Sequence, residues 1–108
     1  MENRQNINRV ELRGVVGTVR INETGEGRIV RFSLATNYVY RASDGTPVIE
    51  TTWHSCIAFE GGHVSGIDRI VKGTAVHLTG RIRCYRFIDV NNAERTGNEI
   101  VVNTLEVL

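Results

Sequence analysis

Alternating apolar and polar positions run through most of the chain and predict a β structure. The clearest stretch is residues 28–40, with Val30 and Phe32 on one face and Arg31 and Ser33 on the other. Successive side chains of a strand point to opposite faces, so this period of two indicates a half-buried strand. Similar patterns predict four further strands, over residues 9–21, 48–59, 75–89 and 98–107.

One segment between the third and fourth strands has helical spacing instead. Within residues 63–72, apolar positions such as Ile67 and Ile70 recur every three or four residues, and Gly73 follows as a C-terminal stop. Gly66 weakens the helix, so a short one is expected. Five strands with one short helix between strands 3 and 4 is the order of the OB-fold, a mainly all-β, five-stranded Greek-key barrel.

Bulk composition limits the class of protein without identifying it. The chain has 108 residues, 41% hydrophobic and 23% charged, which predicts a single globular domain over residues 1–108. The net charge is +1, so any affinity for nucleic acid must come from how the charges are arranged. We expect a cytoplasmic protein, because no apolar run resembles a signal peptide or a membrane span. The last strand is apolar on both faces, which predicts barrel closure or a subunit contact.

The residues that most often carry catalysis or bind metals form no recognisable set. Cys56 and Cys84 lie in apolar strand contexts, which favours buried, inert thiols. Neither they nor His54, His63 and His77 have the spacing of metal ligands. A phosphate-binding Gly-rich loop and a catalytic carboxylate pair are also missing from the sequence. The sequence therefore predicts a protein that is not an enzyme and uses no metal or cofactor.

The outward face of the fourth strand carries the most informative pattern. Arg81, Arg83, Tyr85 and Phe87 alternate along it. Guanidinium groups attract phosphates, and aromatic rings offer flat surfaces on which bases stack. The pattern alone leaves two interpretations open, binding of a nucleic acid strand and packing against a barrel end or another subunit. For Trp53 the pattern alone favours the core, where most lone tryptophans lie.

Short motifs follow one another in a specific order. They are Asn8-Arg9-Val10, Phe32-Ser33-Leu34-Ala35-Thr36, Glu50-Thr51-Thr52-Trp53-His54 with Phe59, Lys72-Gly73 and Gly80-Arg81-Ile82-Arg83. In order and spacing, from Asn8 to Leu108, the chain resembles the bacterial single-stranded DNA-binding protein family. The resemblance implies sequence-independent coating of single-stranded DNA during replication, recombination and repair. It also implies a homo-oligomer, with a tetramer expected, that is associated with the nucleoid.

The resemblance also implies which residues bind DNA. Trp53 is the motif tryptophan, and Phe59 closes the third strand. Tyr40 and Phe87 lie where many members carry Trp, so weaker stacking is expected at these smaller rings. Ser55 lies where many members carry Arg, which predicts one phosphate contact fewer. The other residues expected to contact DNA are Tyr85 and the cations Arg9, Arg31, Arg41, Lys72, Arg81, Arg83 and Arg86.

Many family members continue into a flexible linker and an acidic tip, whereas this sequence stops at Leu108. A shortened chain and a naturally tailless relative both fit this ending. The second leaves an alternative function open, that of a primosomal or mobile-element accessory protein acting mainly as a protein-binding adaptor. Some OB barrels are hydrolases, but the sequence offers no nucleophile–base pair for that chemistry.

Overall fold

The computed structural model describes residues 5–61, 64 and 66–108. Its elements are β1 (Val10–Thr24), β2 (Gly27–Arg41), β3 (Pro47–Phe59), a 3₁₀ helix (Ile67–Arg69), β4 (Ala75–Ile88) and β5 (Glu94–Val107). The strands close into a barrel in the order β1-β2-β3-β5-β4. The predicted five-stranded, mainly all-β OB-fold is confirmed.

Strand β5 closes the barrel, because it pairs with a different strand along each edge. It runs antiparallel to β4 over its whole length and parallel to β3 where Ile57 meets Val101. Residues 99–102 are consequently buried on both faces. Of the two expectations for this strand, barrel closure is therefore observed within the chain itself.

Strand β5 begins at Glu94, directly after the β4–β5 turn, rather than at residue 98 as the sequence predicted. The Asp89 carboxylate accepts hydrogen bonds from the backbone N–H groups of Asn91 and Ala93, at 2.9 and 3.0 Å. Such an Asp-centred turn lets the two strands pair almost immediately after it. The backbone hydrogen bond from Ala93, followed by the side-chain bond from Arg95 and then the backbone bond from Asn91, lowers the pKa of Asp89.

The core follows the alternation that the sequence predicts. Val30, Leu34, Ala58, Val76 and Leu78 point into the barrel and are fully buried. A buried Val or Leu side chain contributes about 1.5–3 kcal/mol relative to an exposed one, so this interior stabilises the fold. The opposite faces of the same strands form the outer surface of the barrel.

The helix predicted over residues 63–72 is wrong in length. Only Ile67–Arg69 are helical, in a single 3₁₀ turn, and His63 lies outside the described residues. Gly66 enters this turn with a φ of 74°, which an α-helix does not use and glycine adopts readily. The apolar spacing still serves packing, since Ile67 and Ile70 are buried in the core cluster. Across the described ranges, no helix has the length and apolar character needed to cross a bilayer.

Two hairpins extend beyond the barrel as two-stranded ribbons. We call residues 36–52 the β2–β3 arm, because there β2 and β3 pair only with each other. We call residues 81–99 the β4–β5 arm, because β4 pairs with β1 only as far as Gly80. Apart from Glu99 at the base of the β4–β5 arm, side chains on these arms have no barrel interior to enter, so both faces of each arm meet solvent.

Candidate nucleic-acid interface

Trp53 lies on the outer face of β3, at the base of the β2–β3 arm, and 62% of its surface is exposed. The residue opposite on β2 is Ala35, and Gly17 of β1 lies beneath the ring. A Cβ atom on Gly17 would stand 2.6 Å from the Trp53 ring carbon Cζ3, closer than real Cβ atoms come. Small residues on two strands thus let the ring settle against the sheet. The core assignment favoured by pattern alone is wrong.

The β4–β5 arm repeats this arrangement with a second ring. Tyr85 lies opposite Gly97, where a Cβ atom would stand 2.7 Å from the tyrosine ring. Phe87 follows on the same face, its ring centroid 5.9 Å from that of Tyr85 and tilted by 35°. Glycines paired across a ribbon from aromatic residues allow the ring to cover the neighbouring backbone. Tyr85 and Phe87 both remain exposed.

A groove of about 540 Å³ on the outer surface lies between the barrel and the β4–β5 arm. Its polar lining includes Arg20, Arg31, Ser55, Arg83, Arg86 and Glu99, with Tyr85 contributing its ring. Four cations and one carboxylate give the groove a net positive charge. The net charge of the whole chain, which is only +1, does not show this concentration of arginines. Three of these cations, Arg31, Arg83 and Arg86, were predicted to contact DNA.

Arg20 and Arg31 are the cations of this groove best placed to accept an anionic ligand. They lie directly opposite each other on β1 and β2. Within the described ranges, neither of them forms an ion pair or a hydrogen bond with a carboxylate. Like charges directly opposite on a sheet destabilise it, so an anion placed between them would relieve a cost built into the fold.

Arg83 is engaged differently, because it satisfies a buried carboxylate. Its Nε and Nη2 atoms donate to Glu99 Oε1 at 3.0 and 2.7 Å, and Glu99 is only 8% exposed. A buried carboxylate without a partner is costly, so Arg83 is a structural residue as well as a groove cation. Arg86 pairs with Glu94 at 3.3 Å, but both side chains are largely exposed.

A second groove, of about 580 Å³, lies near the barrel end of β4 and includes Arg9 and Arg81. Asn8 fixes its geometry by pairing with the backbone of Ile82. The Asn8 amide nitrogen donates to the Ile82 carbonyl at 2.7 Å, and Asn8 Oδ1 accepts from the Ile82 N–H at 2.9 Å. The side-chain amide thereby continues the β1–β4 ladder and holds Arg9 near Arg81.

Besides Trp53 and Phe87, four of the predicted contact residues line neither groove. Tyr40 is on the face of the β2–β3 arm opposite to Trp53, since the two residues differ in strand parity across a regular register. Arg41 donates to the Gly45 carbonyl at 2.9 Å within the same arm. Phe59 ends β3, and Lys72 precedes β4 in the loop at the barrel end. The predicted residues therefore form several surfaces rather than one.

His54 and the two cysteines were examined in the sequence as candidate metal ligands or reactive groups. His54 lies on the face of β3 opposite to Trp53, and its Nε2 lies 2.9 Å from Thr36 Oγ1. Burial raises the pKa of the Cys56 thiol to about 12, which makes it unreactive. Cys84 is exposed, contrary to the prediction, because its strand has already left the barrel. In the described part of the chain, no three His, Cys, Asp or Glu side chains gather as metal ligands would.

Sequence reasoning missed Gly17, Gly97 and Arg20. Gly17 interrupts a predicted strand and so offered a signal, whereas Gly97 lies just before the predicted start of the last strand. The ring that each glycine faces depends on strand register. Arg20 was overlooked because the residue opposite it lies on another strand. Pairing partners of this kind become visible only once the sheet is assembled.

Comparison with known proteins gives a consistent result. The model of the Single-strand binding protein family matches residues 7–108. The mitochondrial single-stranded DNA-binding protein of Danio rerio is 29% identical, covering 96% of this chain and 77% of that protein. The single-stranded DNA-binding protein of Neisseria meningitidis is 31% identical, covering 94% of this chain and 60% of that protein.

Solved structures agree with this assignment. The structure of a Plasmodium falciparum SSB in complex with ssDNA superposes with a TM-score of 0.78 at 25% identity, covering 99% of both chains. The Thermus aquaticus single-stranded DNA binding protein shares the fold, with a TM-score of 0.73 at 16% identity over 94% of this chain and 50% of that one. The chain belongs to the single-strand binding protein family.

Proposed function

We propose that the chain binds single-stranded DNA without sequence specificity, by stacking bases on exposed rings and holding phosphates with arginines. The observation that carries this proposal is Trp53, an exposed ring seated on Gly17. An exposed tryptophan is unusual in a folded domain, and a stacked base would cover it. Each base stacked on an aromatic ring contributes roughly 1–3 kcal/mol, a general range for domains that bind single strands.

The chemistry of the surface explains why no base would be preferred. Every base has a π-face, so Trp53, Tyr85 and Phe87 accept any of them. Arg20 and Arg31 attract phosphates, which are the same at every nucleotide. Sequence-specific recognition instead needs donors and acceptors aimed at base edges. Stacking plus phosphate contact therefore supports binding that covers a strand of any sequence.

We further propose that the protein coats and protects unpaired DNA during replication, recombination and repair, in the cytoplasm of its cell. A homo-oligomer, with a tetramer as the expected state, would let several such surfaces share one strand. Exposed apolar side chains on both arms, such as Val39 and Ile88, supply area that subunits could cover. Sedimentation of the free protein tests the assembly independently of DNA.

Trp53 is the only tryptophan, so its emission reports on a single site. Oligo-dT of increasing length should quench this emission at low salt, and added salt should weaken the binding. The same titration, followed by mass in solution, gives the site size and the assembly state. Absence of quenching and of binding would refute the proposal. Binding that persists undiminished in Trp53→Ala would instead favour the adaptor function.

A further inference from the structure

The outer groove is bounded by two parts of the molecule, the barrel and the β4–β5 arm. Arg20 and Arg31 lie on the barrel side of the groove, whereas Arg83 and Tyr85 belong to the arm. A two-stranded ribbon is only marginally stable by itself in water. The direction of the arm, and with it the width of the groove, therefore depends on what holds the arm at its base.

The base of the β4–β5 arm is held by Asn8, which lies just before β1. Strand β1 pairs with β4 as far as Val10 and Gly80. The same antiparallel register puts Asn8 opposite Ile82, the second residue of the arm. There the side-chain amide of Asn8 takes the place of a backbone, because it donates to the Ile82 carbonyl and accepts from the Ile82 N–H. The ion pairs of the arm join residues within it, whereas Asn8 bonds to the arm from outside.

The arm leaves the barrel at a bend, directly before the residue that Asn8 holds. The register of β4 with β5 shifts between Thr79 and Gly80, and a shift of this kind bends the paired strands. A Cβ atom on Gly80 would overlap the backbone carbonyl of Val101, so the two strands come unusually close there. The hydrogen bonds from Asn8 act just beyond this bend, where they control the direction that the arm takes.

We propose that Asn8 is a positioning residue for DNA binding. By holding Ile82, it fixes the angle between the β4–β5 arm and the barrel, and so the width of the outer groove. It acts through the arm rather than through a contact with DNA. The inference rests on the function proposed above and adds a residue that lies outside the outer groove.

Ile82 also links this contact to Trp53. The side chains of Ile82 and Trp53 line one cleft of about 270 Å³. Asn8 instead lines the second groove, together with Arg9 and Arg81. Because the emission of a tryptophan depends on the surroundings of its ring, a displaced Ile82 should change the emission of Trp53 before any DNA is added. A direct contact between Asn8 and DNA would leave the emission of the free protein unchanged.

The test compares Asn8→Ala with wild type, first without DNA and then with oligo-dT. We expect a shifted emission maximum of Trp53 in the free protein. We also expect an affinity lower by about three- to tenfold, because the arm must then be ordered as the strand binds. Anisotropy of a labelled oligonucleotide measures the affinity. Asn103→Ala is the matched control, since Asn103 lines the same second groove and is exposed. Its emission and affinity should match those of wild type.

Asn8→Asp separates the hydrogen bonds from the size of the side chain. A carboxylate still accepts from the Ile82 N–H, but it cannot donate to the Ile82 carbonyl. At neutral pH this variant should therefore resemble Asn8→Ala in both emission and affinity. Near about pH 4 the new carboxyl takes up a proton and can donate again. Its emission should then return towards that of wild type at the same pH.

The inference stands only if emission and affinity change together in Asn8→Ala. Weaker binding with unchanged emission means that Asn8 contacts DNA directly, and it overturns the inference. Changed emission with unchanged affinity also overturns it, because the arm would not control the groove. An equal emission change in Asn103→Ala would deny Asn8 a specific role.

Failure of the wild type to bind oligo-dT overturns the proposed function, while the emission of the free variants still tests whether Asn8 holds the arm. Circular dichroism establishes that each variant is folded. If Asn8→Ala does not fold, Asn8→Asp supplies the same comparison.

Discussion

The β2–β3 arm and the β4–β5 arm are both two-stranded ribbons with an aromatic pair on one face, Tyr38 with Tyr40 and Tyr85 with Phe87, yet they differ in charge. The β4–β5 arm has four arginines and three carboxylates, and three of those arginines form ion pairs, with Asp89, Glu94 and Glu99. The β2–β3 arm has one arginine and two carboxylates, and its described charged side chains form no ion pair. Its exposed side chains include the rings of Tyr38 and Tyr40 and the aliphatic Val39 and Ile49.

This difference separates two parts of DNA binding. The β2–β3 arm with Trp53 offers stacking, which depends weakly on salt. The barrel arginines Arg20 and Arg31, which face the β4–β5 arm across the groove, offer phosphate contacts, which depend strongly on salt. The ion pairs of the β4–β5 arm hold its shape and occupy most of its cations. Variants of each region should therefore change different properties of the complex.

The largest effect is expected for Trp53→Ala, on the stacking side of the comparison. Affinity for oligo-dT should fall by about 10- to 100-fold, because the main ring platform is lost. Fluorescence anisotropy of a labelled oligonucleotide measures this without the native tryptophan signal. Ile49→Ala removes exposed apolar area from the same face and is the control. An equal loss in Ile49→Ala would show that general apolar contact, rather than the ring, drives binding.

Gly17→Ala tests whether the seat beneath the ring matters. The added Cβ would overlap the Trp53 ring and Ser33 Oγ, both at 2.6 Å. We expect a shifted Trp53 emission maximum, several-fold weaker binding, and a loss of about 1–3 kcal/mol in stability from overpacking. Gly25→Ala is the matched control, since nothing lies within 4 Å of its Cβ position. Unaltered emission and affinity in Gly17→Ala would mean that the ring is not held there.

Arg83→Met tests whether the ion pair between Arg83 and Glu99 stabilises the β4–β5 arm. Glu99 would lose the only ion-pair partner it has among the described residues while remaining buried, which should cost about 1–3 kcal/mol in the free energy of unfolding. Chemical denaturation measures that cost. Arg86→Met breaks an exposed pair and should cost roughly 0–1 kcal/mol. If the two variants had equal free energies of unfolding, the buried Arg83–Glu99 pair would stabilise the fold no more than the exposed Arg86–Glu94 pair does.

The smallest effect is expected for Arg31→Gln, measured on the folded protein without DNA. Removing one of two opposed cations should raise the free energy of unfolding by a few tenths of a kcal/mol, because repulsion across β1 and β2 disappears. Thermal melts at low salt measure it best, since added salt screens the repulsion. A clear loss of stability would mean that Arg31 has a stabilising role that the groove assignment leaves out.

The sequence predicted the strands and the inward faces well, because alternation is a local property. It placed Val30, Phe32 and Leu34 on one face, and all three are buried. It failed where exposure depends on how far a strand runs past the barrel. Cys84 continues the inward face of β4 but lies on the projecting β4–β5 arm, and so it is exposed.

The binding surface was predicted only in part for a similar reason. Trp53 and Tyr40 were assigned to one function from motif positions, yet the register of β2 with β3 puts them on opposite faces of one arm. The contact between Gly17 and Trp53 joins residues on β1 and β3, and no pattern within one strand reveals it. The helix was overestimated because apolar spacing fits a 3₁₀ turn and a short α-helix equally well.

The separation of stacking from phosphate contact is tested most directly by affinity for oligo-dT over a salt series, in wild type, Trp53→Ala and Arg31→Gln. Plots of log affinity against log salt should be parallel for wild type and Trp53→Ala, with the variant displaced downward. The slope for Arg31→Gln should be shallower by about 0.7, the value for one phosphate contact on a single strand. A shallower slope in Trp53→Ala, or an unchanged slope in Arg31→Gln, would contradict the account.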